Sequence, residues 1–293
     1  MKSFYLIVFL FPIMQMNSQN KEVLVIDSVS AKPISFVTVH FLNTNNGTHT
    51  NENGIFDIIP NSYDSIELHH LTYSEKILNI RDIGDTIILS PDAVILKEVI
   101  LSNGKTVTKF IDFPRKKGNI GSFPVFENAE ILSYLIPNET TVNTKIVEIG
   151  VKFEKKIRGE YPRNIRTAYR MNIYSSKNKE IDKKIYESPV FTISTYEKEK
   201  MDISISDGIP FIESGIFIGI EIIGDINSEG KFTREKSLLN LVLTDNKIKD
   251  YQAETFLRYF DNKEKLMPLN DIFRDHVDDK IKRNLSLSFL LIE

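Results

Sequence analysis

The stretch KIVEIGVKF, residues 145–153, decides the fold class: Val147, Ile149, Val151 and Phe153 recur at every second position, with Glu148 and Lys152 between them. Successive side chains of an extended strand point to opposite faces, so this spacing writes one buried and one wet face. The same period returns at Tyr169, Met171 and Ile173, at Met201, Ile203 and Ile205, and at Ile216, Ile218, Ile220 and Ile222. It returns again at Leu239, Leu241 and Leu243, and in the terminal run Leu285, Leu287, Phe289 and Leu291. Many strands with little helix between them need a second sheet to cover their apolar face. That predicts a large antiparallel β-sandwich, jelly-roll-like, over residues 145–293. Within residues 145–293 only Asp271 to Lys282 reads as a helix.

Working back toward the N-terminus, shorter strands alternate in the same way. Val37, Val39 and Phe41 share a face opposite Thr38 and His40, and Pro33 suits the turn that enters the strand. Asn46-Gly47 and Asn53-Gly54 are turn signals, because both residue types tolerate positive φ. Further short strands follow at Ile55 to Ile58, Ser65 to His70, Ile77 to Ile80 and Thr86 to Leu89, predicting a small β-sandwich over residues 20–101. Residues 102–144 read as a connector with a basic cluster at Arg115, Lys116 and Lys117; within it Glu127 to Leu135 reads as a short amphipathic helix bracketed by Pro124 and Pro137. The fold class is therefore all-β, with two sandwiches.

Two resemblances attach to these residues. The order Val25-Ile26-Asp27, Lys32-Pro33-Ile34, Val37-Thr38-Val39, Gly47-Thr48, Thr50 to Phe56, His70-Leu71-Thr72-Tyr73 and Leu96-Lys97-Glu98-Val99 resembles the carboxypeptidase regulatory-like, transthyretin-like domain over residues 22–101. Asn51 stands where that family more often has Asp. The resemblance implies a transthyretin-like sandwich and an envelope protein of Bacteroidetes type. No receptor plug or barrel strands follow it. Residues 140–225 are similar to a C-terminal β-sandwich found with such domains, through Arg170-Met171-Asn172-Ile173-Tyr174 and Phe217-Ile218-Gly219-Ile220-Glu221. Asp27-Ser28-Val29, Asp64-Ser65-Ile66 and Asp85-Thr86-Ile87 look like the short O-glycosylation sites of exported proteins from the same bacteria.

The compartment follows from the start of the chain. Lys2 precedes an apolar run, Phe4 to Met14, broken only by Pro12. A bilayer-spanning helix needs about 20 apolar residues, so the run predicts a signal peptide over residues 1–19, cut near Gln19, and no transmembrane span in the mature chain. The chain has no Cys, so it offers neither a lipobox nor a disulfide. The expected location is exported, periplasmic or outer-membrane-associated, and not a lipoprotein. A net charge of -3 carries no basic excess of the kind nucleic acid selects.

Candidate chemistry is sparse. His69 and His70 are neighbours, but adjacent strand residues face opposite ways, so without a bulge they do not share one metal ion. His40, His49 and His276 stand apart in sequence. No nucleophile elbow, cysteine or glycine-rich phosphate loop is present. Asp278 and Asp279, among Lys280, Lys282 and Arg283, read as a solvated face. Glu221 interrupts an isoleucine-rich strand, and its carboxylate must face water, meet a cation such as Arg170, or line a pocket. Tyr161, Tyr186 and Tyr196 are the candidates to stack on a sugar ring in a chain without Trp. The expectation is a non-enzymatic structural or protein-interaction module with no catalytic, metal or cofactor-binding residue, no cofactor, and no acids or histidines gathered between its sandwiches. The alternative is a glycan-binding module; the partner is thus an envelope protein or a glycan.

Overall fold

A computed structural model describes residues 20–293 except 45, 59–62, 93–107, 115–121, 124–128, 156–163, 195–199, 235–238, 245–247, 260–264 and 273–282. The predicted signal peptide, Leu96 to Val99, the Arg115 cluster, Tyr161, Tyr196, His276 and the Asp278-Asp279 pair lie outside the described residues.

The first sandwich holds strands β1 (Lys21–Asp27), β2 (Thr38–Phe41), β3 (Gly47–His49), β4 (Ile55–Ile58), β5 (Ser65–His70), β6 (Tyr73–Asn79) and β7 (Thr86–Leu89). They form a sheet ordered β4-β1-β7 and a sheet ordered β3-β2-β5-β6, with β1 and β7 the parallel pair. Val23, Val25, Val39, Phe56, Ile66, Leu68 and Leu89 fill the space between. The Thr50 to Phe56 turn shows why Asn serves at position 51: its Oδ1 accepts from Asn53 N at 2.9 Å and Ile55 N at 3.1 Å. Gly54 sits at φ +74°, and a Cβ there would stand 2.9 Å from both Pro33 Cβ and Val25 O, so the turn needs glycine.

The second sandwich begins earlier than alternation suggested. Its strands are β8 (Thr108–Ile111), β9 (Ser122–Phe123), β10 (Ala129–Pro137), β11 (Thr144–Lys155), β12 (Arg166–Lys177), β13 (Glu180–Glu187) and β14 (Phe191–Ser194). After these come β15 (Lys200–Phe211), β16 (Ile216–Ile226), β17 (Leu239–Thr244), β18 (Tyr251–Tyr259), β19 (Met267–Pro268), β20 (Asn284–Leu285) and β21 (Leu287–Ile292). One sheet runs β13-β12-β16-β10-β18-β19 with β14 on β12; the other runs β20-β17-β11-β21-β8 with β15 on β11 and β9 on β17. Between them lie Ile149, Val151, Phe153, Tyr169, Met171, Ile218, Ile220, Leu241, Leu287 and Phe289, all buried.

Three expectations are corrected, and a fourth runs beyond the described residues. Residues 102–144 are not merely a connector, since β8, β9 and β10 belong to the larger sandwich. The helix expected over Glu127 to Leu135 is strand β10 from Ala129 onward: Ala129, Ile131 and Leu135 join the core while Glu130, Leu132 and Tyr134 take the other face, a period of two hidden because both faces are buried. The described helix near the C-terminus is α1, Leu269–Ile272, and residues 273–282 of the predicted Asp271–Lys282 helix fall outside the described residues. In β11 a register shift between Ile146 and Glu148 gives the inward place to Ile146, with Val147 only half-buried.

The first sandwich lies on the outer face of the β13-β12-β16-β10-β18 sheet. Every residue of β16 is buried, its inner face by the core and its outer face by the seam at Glu221 and Ile223 and by Leu132, Tyr134 and Tyr174 of the same sheet at Phe217. Phe36, from the first sandwich, packs there with Ala168, Ile223 and Ile226. Its φ of +58° is a costly conformation for a bulky side chain, retained where Phe36 N donates to Thr50 O at 3.0 Å and its carbonyl accepts from Arg170 across the seam. At one end, Glu52 bonds Arg166 at 2.8 Å and Asn53 Nδ2 donates to Glu229 O at 2.9 Å.

Candidate functional site

Strand register builds the site. Arg170 on β12 lies opposite Glu221 on β16, Glu221 opposite Glu130 on β10, and Glu130 opposite Arg258 on β18. The sheet thus carries a row reading Arg, Glu, Glu, Arg beneath the first sandwich. Two carboxylates directly opposite one another repel, so the row holds only with cations at both ends and a donor between. Asn172 is that donor: its Nδ2 gives hydrogen bonds to Glu130 Oε1 at 3.0 Å and to Glu221 Oε2 at 3.1 Å. Opposite Asn172 on β16 stands Gly219, whose missing side chain leaves the space that the Glu130 carboxylate occupies.

Each end is closed by further bonds. Arg258 pairs with Glu130 through Nη2, which also donates to Tyr174 Oη at 2.9 Å, and its guanidinium covers the Tyr174 ring. The Tyr174 hydroxyl donates to Glu130 at 3.0 Å. Arg170, 2% exposed, donates to Thr38 Oγ1 at 3.0 Å and to Phe36 O at 2.6 Å in the first sandwich, and stands 3.7 Å from both Glu221 and Glu187 in its own. His49 closes the row from β3, its Nε2 being 3.0 Å from Glu221 Oε1. Above it His69 bridges Glu75 at 3.0 Å and Glu187 at 3.6 Å, and Lys184 bonds Glu187 at 2.5 Å.

These groups enclose a cavity of about 400 Å3 in the seam, walled by residues of both sandwiches. Thr38, His40, Glu67, His69 and Glu75 contribute from one side, and Glu130, Arg170, Asn172, Tyr174, Lys184, Glu221, Arg258 and Tyr259 from the other. The expectation of a seam without gathered acids and histidines is therefore wrong. The cause is register: alternation tells which residues leave the core, not which strands place them side by side.

Electrostatics follow from this packing. Burial alone would raise the Glu221 carboxyl, but Arg170 and His49 outweigh it and hold the group well below the usual carboxylate range. Glu187 is likewise raised by burial and lowered further by His69, Arg170 and Lys184, to about 2. His69 is raised, chiefly by its bond to Glu187. Burial and the Arg170 charge push His70 down to about 4.

A pH dependence results. Glu187 titrates near 4.5 when unperturbed, so over pH 4.5 to 2 the unfolded chain binds the proton that the folded chain refuses. Its stabilisation, about 2–3 kcal/mol, is complete above that window and is lost as pH falls through it. His69 has the opposite sign: its contribution is complete below its ordinary 6.5 and fades as pH rises through its raised folded value. Urea midpoints measured against pH should fall on the acid side, with a shallower acid limb in Glu187→Gln; equal acid limbs would contradict the assignment.

The single-residue expectations resolve as follows. Glu221 both meets Arg170 and lines the cavity. His49 does not stand apart: it is buried against Glu221, and His40 lies 3.8 Å from Glu67. The β5–β6 pairing shifts register between Leu68 and His70, so His69 and His70 both lie near Glu187, yet their ring nitrogens engage Glu75 and Glu187 in one case and Thr72 in the other. Tyr186 is half-buried and packs against the larger core, which leaves no sugar platform at that position. Among the described residues no three His, Asp or Glu side chains gather to hold a metal ion, and no helix is long and apolar enough to cross a membrane. Glu130 and Arg258 escaped the sequence reading, although each is a lone charge in an apolar run, AEILSYLI and TFLRYF.

No family model, curated protein or solved structure matches the chain.

Proposed function

We propose that the chain is an exported, non-catalytic cell-envelope protein whose two sandwiches, held as one body, form an interaction module with the seam cavity as its recognition site. The observation that supports this most directly is the Arg170, Glu221, Glu130, Arg258 row. A general acid or base works best with a pKa near the operating pH, whereas Glu221 and Glu187 are held far below neutrality by fixed cations. Groups so held position a partner; they do not exchange protons with it. Export rests on the residues 1–19 pattern, and the envelope setting on the resemblance of residues 22–101 to carboxypeptidase regulatory-like domains.

A thermal-shift screen of purified residues 20–293 against neutral sugars, sugar acids, amino sugars and short peptides tests the reading. The expected result is stabilisation by at least one class, lost in His40→Trp, which puts a larger ring into the cavity lining. Silence from every class would overturn it, as would conversion of a bound compound that stops in Glu221→Gln.

A further inference from the structure

We infer that the seam cavity takes a neutral, hydroxyl-rich ligand of sugar type that bridges the sandwiches, donating to Glu67 and Glu75 on one wall and accepting from Arg258 and Lys184 on the other. This rests on reading the seam as a recognition site and adds the chemical class of the ligand.

Unused hydrogen-bonding capacity supports the choice. The floor is already committed: Glu130 accepts from Asn172, Tyr174 and Arg258, and Glu221 from His49 and Asn172. Higher up, capacity remains. Among the described residues Arg258 uses Nη2 on Glu130 and Tyr174, and its Nη1 and Nε hydrogens meet no acceptor. Lys184, with three donor hydrogens, has Glu187 as its partner; Glu67 has His40 at 3.8 Å and Glu75 has His69 at 3.0 Å. The donors belong to β18 and β13 of the second sandwich, the acceptors to β5 and β6 of the first. A hydroxyl both donates and accepts, so a ring carrying several satisfies both walls at once.

Charge excludes the competing classes. The lining carries Glu67, Glu75, Glu130 and Glu221 against Arg170, Lys184 and Arg258, together with His40 and His69. A phosphate or other anion would need a cationic excess that this wall lacks, and an organic cation would meet Arg258 and Lys184 as it entered. The cavity, at about 400 Å3, lies within the range of small-ligand sites, roughly 300–1,000 Å3. Asn172 Oδ1, buried and without a hydrogen-bond partner, leaves one more acceptor in a lining residue.

The test is thermal melting and titration of residues 20–293 with galactose, mannose and N-acetylglucosamine, set against glucuronate and glucosamine. At least one neutral sugar should raise the midpoint by a few degrees at saturation, and neither charged sugar should match it. The shift should vanish in His40→Trp, and apparent affinity should fall tenfold or more in Glu67→Gln with Glu75→Gln; the sugar-free midpoint reports whether each variant folds. Binding by charged sugars alone would overturn the ligand class while leaving the recognition reading standing. Binding by no compound of any class would sink both. A shift that survives both variants would place the sugar elsewhere and refute this site.

Discussion

Arg170→Met should lower the unfolding free energy by about 3–5 kcal/mol, because breaking a buried ion network from one side leaves the remaining charges desolvated and uncompensated. Arg170 is 2% exposed and holds four groups: the Glu221 and Glu187 carboxylates in its own sandwich, and Thr38 Oγ1 and Phe36 O in the other. Methionine fills part of the volume but donates nothing, so the buried Phe36 carbonyl loses its bond across the seam. Glu221 keeps His49 and Asn172, and its carboxyl should climb back toward the ordinary range. Adding Glu221→Gln to Arg170→Met should therefore recover part of the loss, as expected when a charge is removed together with its partner. Denaturant unfolding of the two variants decides the matter. A single-variant cost below about 1 kcal/mol, or a double variant weaker than the sum of its parts, would mean that the network is not desolvated as described.

Gly219→Ala should cost about 2–4 kcal/mol, a large effect for one methyl group. A Cβ at this position would stand 2.1 Å from Glu130 Oε1 and 2.7 Å from its Cδ. Such contacts are relieved cheaply when the neighbour is a loose side-chain end, but Glu130 is pinned by Asn172, Tyr174 and Arg258. Moving it would break three bonds in a buried place and push the carboxylate toward Glu221 or into the cavity. Loss of stability in Gly219→Ala, together with partial rescue by Glu130→Ala, would show that the clash is with Glu130. An unchanged midpoint would show that the row can shift freely.

Much of the fold was legible in the residues, for identifiable reasons. Strands whose second face carries polar residues, such as the Leu285 to Leu291 run with Ser286 and Ser288, declare themselves by alternation even where those serines are buried. Strand β10 did not, because its second face is also covered: Leu132 and Tyr134 look outward into Phe217 and Tyr174, so apolar residues occupy both sets of positions and mimic a helix stripe. The site was less legible than the fold. Glu221 and Arg170 were visible as charges out of place, but their companions, Glu130, Arg258 and His49, lie up to 172 residues away in sequence and meet only through strand order. One chain without register carries no signal for that meeting. The position of the first sandwich on the β16 face was equally hidden, although the burial of Glu221 and Ile223 on that strand is its consequence.

Calorimetric melting of residues 20–293 tests most directly whether the two sandwiches are locked through the seam. One transition is expected, with calorimetric and van't Hoff enthalpies equal, because neither sandwich can unfold without exposing the Arg170 network and the Phe36 cluster. Two separated transitions, each insensitive to Arg170→Met, would contradict the account.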